Sequence, residues 1–529
     1  VRNAWVSIVN EDQDDDEDPA EYNWYYFQSN GKAYKKGDSG STRFRTINGK
    51  RYAFDDDGKM LYGWVNKSGE RESDDEGWTD PDTAYYLGDW NDGSMKTGWQ
   101  KITVYDNDKE DDMDYWFNFK SNGEKRTDTK SWKSNGKTYA FDIRGVMVYQ
   151  WTTIDTIDKD IASGSNTDKA STSTWRYFNS PEDGARVTKG WFKVVAPDDD
   201  NDNTFMDYGT GFAKDDAGDE TERWYYADAN GELYKGEIKS IKGKYYGFWP
   251  DDGKKGGAML NGLCVLQMDG SEIEKVIADD IDSNDLDDIL DGNYENQDSW
   301  SDVYLYYFGN DLDGDGAMKT GNVTVNLDGN SYNFLFKKTG NPAGGRGQGV
   351  TGIEDKKYIY SYGCKIKASS DDKYKLVKIT GTNGNESDAV DINSKNVKVE
   401  KMPTPVWSND TNYKNSDEET VRYHYNEGSD DIDFTENVYY LVNTSGNIQK
   451  NKFNGLKDGN ECYYYVDKEM KVVLYTDNKT LKSMKGASYN VSKNDADTFI
   501  KEYASKVNDG GNGSNNNTTE DESTTTAAN

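Results

Sequence analysis

Residues 24–37, WYYFQSNGKAYKKG, and residues 47–64, INGKRYAFDDDGKMLYGW, form a unit that recurs along the chain. The unit consists of an aromatic strand, a tight Asn-Gly or Asp-Gly turn, a second strand and a Gly-Trp exit. Aromatic segments that flank such a turn predict a β-hairpin. Because stacked copies of one hairpin make a repeat protein, we predict an all-β fold. The predicted architecture is an elongated β-solenoid of stacked β-hairpin repeats with long acidic loop insertions.

Copies of the unit can be followed from the N-terminus to beyond the middle of the chain. The clearest lies at residues 85–99, which contain Asn91-Asp92-Gly93 and end in Gly98-Trp99. Further copies lie at residues 115–123, 135–151, 175–191, 224–236, 243–259 and 306–321, with weak echoes at 439–446 and 463–465. The decay of the pattern after residue 352 indicates that the C-terminal part has a different, irregular organisation.

These shifts in pattern predict the domain boundaries. An apolar periodicity at residues 495–507 predicts a short amphipathic helix. The Gly-, Asn-, Ser- and Thr-rich end predicts a disordered tail. The predicted segments are hairpin repeats at 1–265, an acidic insertion at 266–300, degenerate repeats at 301–352, a β-rich C-terminal region at 353–475, a terminal strand and helix segment at 476–507, and the tail at 508–529.

The combination of Tyr-Tyr-Phe, Asn-Gly and Met-x-x-Gly-Trp resembles the cell-wall-binding or glucan-binding repeats of Gram-positive surface proteins. Choline-binding modules and the carbohydrate-binding repeats of large clostridial toxins are relatives of that family. The resemblance covers residues 1–265 and 300–352. It implies a β-solenoid whose repeats are not catalytic and serve as a binding or scaffolding region. It also implies that the exit residues Trp64, Trp99 and Trp191 help to form the ligand groove.

Composition restricts the classes of partner. The chain of 529 residues has a net charge of −34, which disfavours nucleic acid and anionic polymers as simple electrostatic partners.

No apolar run approaches the roughly 20 residues that span a bilayer. The chain begins at Val1 without a signal peptide, so we expect a part of a longer exported protein. Its cysteines, Cys264, Cys364 and Cys462, are expected to be small buried hydrophobic residues and not a disulfide framework.

Acidic insertions recur between each Gly-Trp exit and the next aromatic strand, and they suggest two alternatives. They are either solvated loops that prevent edge-to-edge association or loops that Ca²⁺ orders. A separate candidate metal loop contains Asp311, Asp313 and Asp315 with Gly316, the spacing of oxygen ligands and glycine in a Ca²⁺ loop. Position 12 of that loop is Asn322, and an ordinary turn is the alternative. No cofactor is required, and Ca²⁺ is a possible one.

Aromatic rings are the candidate ligand-binding groups. A ring can stack on the C–H face of a sugar, and a cage of two or three rings can hold a choline head group by cation–π contact. Long insertions, and the absence of an exit tryptophan after Met259 and Met318, disfavour a regular ladder of choline sites. Many of the rings must also form the core. The candidates are Trp24, Tyr26, Tyr52, Trp64, Tyr86, Trp99, Trp116, Trp151, Trp175, Trp191, Trp224 and Trp249.

The sequence therefore predicts a non-catalytic protein of the Gram-positive cell surface. It would attach to a polysaccharide, either a glucan or a cell-wall glycopolymer, by aromatic stacking in repeated hairpins. Its single histidine, His424, argues against most histidine-dependent enzymes. The alternatives are a structural stalk or filament that self-associates through its repeats, and the non-catalytic arm of a larger secreted enzyme or toxin.

Overall fold

The computed structural model describes residues 1–14, 18–38, 40–107, 109–153, 175–195, 222–250, 255–279, 281–291, 294, 302–309, 315–381, 397–404, 406–407, 424–425, 432, 437–450 and 452–476. The chain divides into two compact units, one of Val1–Lys239 with Gly247–Met259 and one of Ser240–Tyr246 with Leu260–Asn529. Strands dominate both units, all of their pairings are antiparallel, and α1 (Ser283–Asp291) is the one α-helix among the described residues. The all-β prediction is confirmed at this level, and the solenoid stays a prediction.

The described part of the first unit contains fourteen complete strands, each three to nine residues long. They are β1 (Ala4–Val9), β2 (Tyr22–Phe27), β3 (Arg45–Ile47), β4 (Lys50–Tyr52), β5 (Trp64–Asn66), β6 (Thr83–Tyr86), β7 (Gly98–Asp106), β8 (Asp111–Phe119), β9 (Thr129–Ser134), β10 (Lys137–Phe141), β11 (Gln150–Thr153), β12 (Trp175–Phe178), β13 (Gly190–Val195) and β14 (Glu222–Ala227). A 3₁₀-helix, Gly77–Thr79, precedes β6.

Strands β15 (Glu237–Ile241) and β16 (Lys244–Phe248) are each divided between the two units. The second unit continues with β17 (Leu263–Asp269), β18 (Glu272–Ala278), β19 (Val303–Tyr307), β20 (Gly321–Leu327), β21 (Asn330–Phe336), β22 (Gly352–Glu354), β23 (Tyr358–Ser361), β24 (Cys364–Lys365), β25 (Tyr374–Gly381), β26 (Val397–Lys401), β27 (Val406–Trp407), β28 (His424–Tyr425), β29 (Tyr439–Asn443), β30 (Lys452–Lys457), β31 (Tyr463–Val466) and β32 (Val472–Thr476). A second 3₁₀-helix, Pro342–Gly344, follows β21.

The hairpins of the first unit are phased differently from the predicted unit. Each Gly-Trp exit strand pairs with the aromatic strand that follows the acidic insertion, so the insertion is the hairpin loop; in β1–β2, for example, Trp5 lies opposite Tyr26. The Asn-Gly turn after β2 is closed only by the single bridge between Phe27 and Ala33. The reason is composition, because β-branched and aromatic residues fill the exit strand whereas the segment after the turn soon reaches lysines and glycine. The same pairing joins β5–β6, β7–β8, β11–β12 and β13–β14.

A second kind of hairpin, seen in β3–β4 and β9–β10, has a two-residue turn. At Asn48-Gly49, between β3 and β4, both central residues have positive φ, 50° and 82°. Positive φ at both positions defines a type I′ turn, whose twist matches that of the strands. Other turns of this kind are Asn135-Gly136, Lys242-Gly243, Asp328-Gly329 and Tyr362-Gly363.

Successive hairpins are joined by a recurring backbone hydrogen bond, which we call the seam. In the first copy, Met60 N–H donates to the carbonyl oxygen of Trp24 over 2.7 Å. Equivalent bonds of 2.7 or 2.8 Å run from Met95 to Arg51, Lys125 to Ala84, Met147 to Trp116, Arg186 to Thr138, Met259 to Trp224, Met318 to Tyr245 and Gly349 to Leu305. The seam attaches each hairpin to an earlier one, as stacked repeats require.

The side chain at the seam position packs against a turn glycine of a later hairpin. A Cβ atom built on Gly123 would lie 2.3 Å from the Sδ of Met95, which leaves no space for any other residue there. The same close approach pairs Met60 with Gly93, Met147 with Gly184 and Met318 with Gly347. The methionine of one sequence unit therefore contacts the glycine of the Asp-Gly or Asn-Gly pair in a later unit.

The second unit buries more aliphatic side chains. Strand β17 pairs with both β18 and β19, and α1 buries Leu286, Ile289 and Leu290 at helical spacing. The stretch predicted as an acidic insertion, residues 266–300, thus contributes β18 and α1 to this core, because apolar residues are interspersed among its aspartates. The three cysteines are buried and none of them forms a disulfide bond.

No helix among the described residues is long and apolar enough to cross a bilayer. The predicted helix at 495–507 and the predicted tail at 508–529 lie outside the described residues, as does most of the segment at 476–507.

Candidate aromatic binding sites

The first exit tryptophan lies in a corner built from two hairpins. The rings of Trp5 and Trp24 are 6.5 Å apart at an interplanar angle of 84°. The Tyr52 ring closes the corner from the following hairpin, 4.9 Å from Trp5, and Phe54 stacks under Trp5 at 5.9 Å. Strand pairing fixes Trp5 and Trp24, and the type I′ turn before β4 fixes Tyr52 and Phe54. We call this group the Trp5 corner.

The same arrangement recurs at Trp99 and at Trp191. Trp99 and Trp116 are 6.3 Å apart at 84°, and Trp191 and Trp224 are 6.4 Å apart at 85°. The floor is repeated by Phe141, 5.6 Å from Trp99, and by Phe248, 5.8 Å from Trp191. Tyr139 stands 4.9 Å from Trp99, as Tyr52 stands from Trp5. The Trp99 corner and the Trp191 corner are thus repeats of the Trp5 corner.

The seam places a methionine at each corner. Met60, Met147 and Met259 donate their backbone N–H groups to the carbonyl oxygens of Trp24, Trp116 and Trp224, respectively. A thioether at this point is apolar and polarizable, so it can pack beside rings and beside the methyl groups of a ligand. Each corner therefore offers two perpendicular indoles, a floor and a soft apolar wall.

The indoles of the three corners are half-buried, so that part of each ring faces solvent. Glu182 accepts a hydrogen bond of 3.0 Å from the Trp116 indole N–H and forms an ion pair of 2.9 Å with Lys101. The bond to Lys101, followed by the one to Trp116, lowers the pKa of the Glu182 carboxyl. The Trp99 corner thus carries a carboxylate on its rim, which favours a cationic ligand.

The exit residue Trp64 lies in a closed variant of the corner. Its ring is 5.0 Å from Tyr86 and 5.2 Å from Phe117. Ala84 occupies the position that the second tryptophan has in the other corners. Lys125 occupies the seam position in place of methionine. Lys125 is 5% exposed, and its Nζ lies 5.3 Å from the centroid of the Trp64 ring.

The exit residue Trp151 lies in a fully enclosed cluster. Trp151 is 1% exposed and Trp175 is 5% exposed. Their rings are 6.1 Å apart, and Tyr225 covers Trp151 at 4.9 Å with its own ring completely buried. The Trp151 indole N–H donates to the backbone carbonyl of Val195 over 2.9 Å. These rings form core, as about half of the aromatic residues must.

The remaining predicted ligand residues support the corners or lie apart from them. Tyr26 packs against Trp5 at 5.2 Å and stacks on Tyr34 at 5.7 Å. Tyr86 packs against Trp64 as described. Trp249 is buried, and Lys255 lies over its ring at 4.7 Å. Their ligand roles stay predictions.

Sequence reasoning did not select Trp5, Trp132, Tyr139 or Phe248 for the sites. Trp5 follows Ala4 and not glycine, yet its place before an acidic insertion marks it as an exit residue. Tyr139 has the same position relative to Asn-Gly as Tyr52, so comparing the two turns identifies it. Trp132 packs 5.6 Å from Trp99 and carries the Arg126 guanidinium 4.3 Å above its ring, which no repeated motif signals.

The predicted metal loop can be followed only at Asp315, since Asp311 and Asp313 lie outside the described residues. Asp315 accepts hydrogen bonds from Lys319 Nζ at 2.6 Å and from the backbone N–H of Ala317 at 3.1 Å. The Lys319 hydrogen bond is the main cause of the lowered pKa of the Asp315 carboxyl. In the described part of the chain, no three His, Cys, Asp or Glu side chains converge as a metal site, and Ca²⁺ binding stays a prediction.

Comparison with known proteins gives structural neighbours only. No family model matches the chain, and no curated protein matches it. CbpJ from Streptococcus pneumoniae TIGR4 is 17% identical with a TM-score of 0.32, over 69% of this chain and 94% of its own. A crystal structure of CbpF in complex with ipratropium is 17% identical with a TM-score of 0.37, over 82% of this chain and 100% of its own.

The choline-binding domain of CbpL from Streptococcus pneumoniae is 18% identical with a TM-score of 0.22, over 45% of this chain and 93% of its own. The three corners are defined by the ring geometry of this chain alone. Among the solved structures that resemble the chain are choline-binding proteins, one of the relatives that its repeat motifs indicate.

Proposed function

We propose that the chain is a non-catalytic binding protein of the cell surface. It would hold a cell-wall glycopolymer through quaternary ammonium groups, of the choline type, carried on that polymer. The observation that supports this proposal is the repetition of one ring geometry at three places. Two indoles meet at 84° to 85° in the Trp5, Trp99 and Trp191 corners, with centroids 6.3 to 6.5 Å apart.

A corner of perpendicular rings suits a small cation better than a sugar. A sugar stacks on one flat, open ring face, whereas a trimethylammonium group is nearly spherical and can contact two or three ring faces together. Each ring within about 6 Å of the cation contributes roughly 0.5–2 kcal/mol. The net charge of −34 and the carboxylate of Glu182 beside Trp116 act in the same direction.

Three weak sites on one chain can give strong attachment. When the ligand groups repeat along a polymer, the second and third binding events become intramolecular, and the overall affinity can exceed that of one site by about 10²–10⁴. The choice of choline among quaternary ammonium groups follows the resemblance of the repeats to choline-binding modules. Glucan stacking, self-association, Ca²⁺ binding and the role of an enzyme or toxin arm stay predictions.

The test is calorimetric titration of the full chain with choline. We expect about three sites per chain, and about a 30-fold weaker affinity at one site in each of Trp5→Ala, Trp99→Ala and Trp191→Ala, from the loss of roughly 2 kcal/mol of cation–π contact. Trp90→Ala is the matched control, because Trp90 is a half-buried tryptophan that packs on Tyr22 outside the corners. It should keep all of the sites.

Two further experiments identify the ligand class. The uncharged isostere 3,3-dimethylbutan-1-ol has the shape of choline without its charge, and equal binding of the two compounds would contradict a cation site. Retention on purified walls should be competed by free choline and not by soluble glucan. Competition by glucan alone would replace this proposal with sugar stacking.

A further inference from the structure

The group around Trp64 is geometrically a fourth corner. Trp64 and Phe117 are 5.2 Å apart at 68°, as Trp5 and Tyr52 are 4.9 Å apart at 67°. Trp64 and Phe119 are 6.1 Å apart at 39°, close to the distance and tilt between an exit tryptophan and its phenylalanine floor elsewhere. The exit indole, the closing ring and the floor are therefore all present.

Two positions of this fourth corner differ from the others, and they are adjacent. The second tryptophan is replaced by Ala84 and the seam methionine by Lys125. The seam itself is unchanged, because Lys125 N–H donates to the carbonyl oxygen of Ala84 over 2.7 Å, as Met60 does to Trp24. The corner that lacks the second indole is thus the corner that has a cationic side chain at the seam position.

The lysine side chain reaches the face of the exit indole. Its stem packs on Gly145, where a Cβ atom would lie 2.7 Å from both Cγ and Cδ of Lys125. Its Nζ donates to the backbone carbonyl of Trp78 over 2.7 Å and lies 5.3 Å from the Trp64 ring centroid. That distance is within the range of a cation–π contact. The ammonium is therefore held both by an oxygen and by the face of the exit indole.

We propose that the Trp64 group is a fourth cation site that the chain fills with its own Lys125 ammonium. External alkylammonium groups then bind at the Trp5, Trp99 and Trp191 corners and are excluded from the fourth. The part of this statement that concerns external ligands rests on the proposed function. The internal occupancy by Lys125 does not, and it is tested separately.

The test is chemical rescue of Lys125→Ala in the full chain. The substitution removes the atoms of n-propylammonium. At pH 5.5, where Lys125 of the folded wild type carries its proton, we therefore expect this compound to raise the melting temperature of Lys125→Ala by several degrees more than that of the wild type. Lys125→Met is the matched control, because methionine occupies the equivalent position in the three open corners, and it should show no extra gain. The neutral analogue 1-propanol should not rescue.

Equal rescue by 1-propanol would show that Lys125 only fills space, and that result would overturn the proposal. Failure of choline to bind the open corners would disprove the proposed function and leave the rescue of Lys125→Ala unaffected. If Lys125→Ala does not fold, selective ¹³Cε labelling of lysine supplies a second measurement. The resonance that disappears in Lys125→Met should be shifted upfield by the ring current of Trp64, and a shift typical of exposed lysines would contradict the proposal.

Discussion

The Trp99 corner and the Trp151 cluster begin from the same sequence element, an exit tryptophan followed by an insertion and an aromatic strand. In the Trp99 corner the rings stay half-buried, and a carboxylate lies at the rim. In the Trp151 cluster, Tyr225 and Phe192 cover the exit indole at 4.9 and 5.7 Å, and the tryptophan becomes core. The repeat motif thus specifies where a tryptophan lies in the hairpin, and the neighbouring hairpins determine whether it is available to a ligand.

Truncation of the two exit tryptophans should separate these roles most strongly. Trp151→Ala leaves a large cavity in packed core and should cost about 3–5 kcal/mol of stability. Trp99→Ala removes a half-buried ring and should cost clearly less. Thermal unfolding followed by circular dichroism measures both. If Trp151→Ala lowers the melting temperature no more than Trp99→Ala, the distinction between corner and core is wrong.

The contact between a seam methionine and a turn glycine can be tested by substituting the glycine. Gly123→Ala introduces a Cβ atom 2.3 Å from the Met95 Sδ at a φ of 93°, so we expect overpacking of about 1–3 kcal/mol in addition to backbone strain. Gly136→Ala is the control, since its φ is 79° and no atom lies within 4 Å of the new Cβ. The double variant Gly123→Ala with Met95→Ala lacks the overlap between the new Cβ and Sδ. In urea unfolding it should therefore recover the part of the stability loss that overpacking causes. Equal losses in the two single variants would mean that the methionine contact is not tight.

The filled fourth corner should differ from the open corners in its pH dependence. Burial lowers the pKa of the Lys125 ammonium from 10.5 to about 7, with Arg144 and Lys67 adding to this shift and Asp142 and Asp80 opposing it. Between these two pH values the unfolded chain holds a proton that the folded chain has released, so raising the pH through this window stabilises the wild type. Below the window Lys125 is protonated in both states, so the fourth corner holds an ammonium there and the contribution of Lys125 to stability is constant.

Lys125→Met lacks this titration. The melting temperature of Lys125→Met minus that of the wild type should therefore fall by a few degrees as the pH rises through the window. Differential scanning calorimetry of the two proteins in parallel cancels the contributions of the tyrosines. A difference that does not change with pH would show that Lys125 keeps its proton in the folded state.

The smallest effect is expected at the rim of the Trp99 corner. Glu182→Gln keeps a hydrogen-bond acceptor for the Trp116 indole and removes the charge. The charge is exposed and solvent screens it, so choline should bind this corner no more than about fivefold more weakly. Titration at low and high salt checks this, because the difference between the variant and the wild type should shrink at high ionic strength.

Local patterns of the sequence predict much of this fold but not the partners of each strand. The Asn-Gly turns, the aromatic strands and the exit residues Trp99 and Trp191 all follow from short motifs. The phase of the hairpins was predicted incorrectly, because the pairing of β1 with β2 spans an insertion whose closure no local motif specifies. The second unit was harder still, since its helix α1 lies in a stretch whose many aspartates obscure Leu286 and Ile289.

The candidate sites divide in the same way. Trp24, Tyr52, Trp99, Trp116, Trp191 and Trp224 were selected from the sequence, and the structure brings them together in corners. The burial of Trp151 could not be predicted, because it depends on Tyr225 of a later hairpin. The substitution at the fourth corner is visible in the sequence only when Gly123-Glu124-Lys125 is aligned with Gly58-Lys59-Met60, and the role of the lysine needs the position of Trp64.

The seam also makes the stack sensitive to oxidants. The Sδ atoms of Met60, Met95, Met147 and Met318 all face a glycine of a later turn at a distance that leaves no space for another atom. Oxidation to the sulfoxide adds a polar oxygen at that sulfur. Oxidation of these methionines by peroxide would therefore loosen the joints between hairpins while leaving each hairpin's own strand pairing intact. Methionine sulfoxide reductases would be the enzymes that reverse this damage.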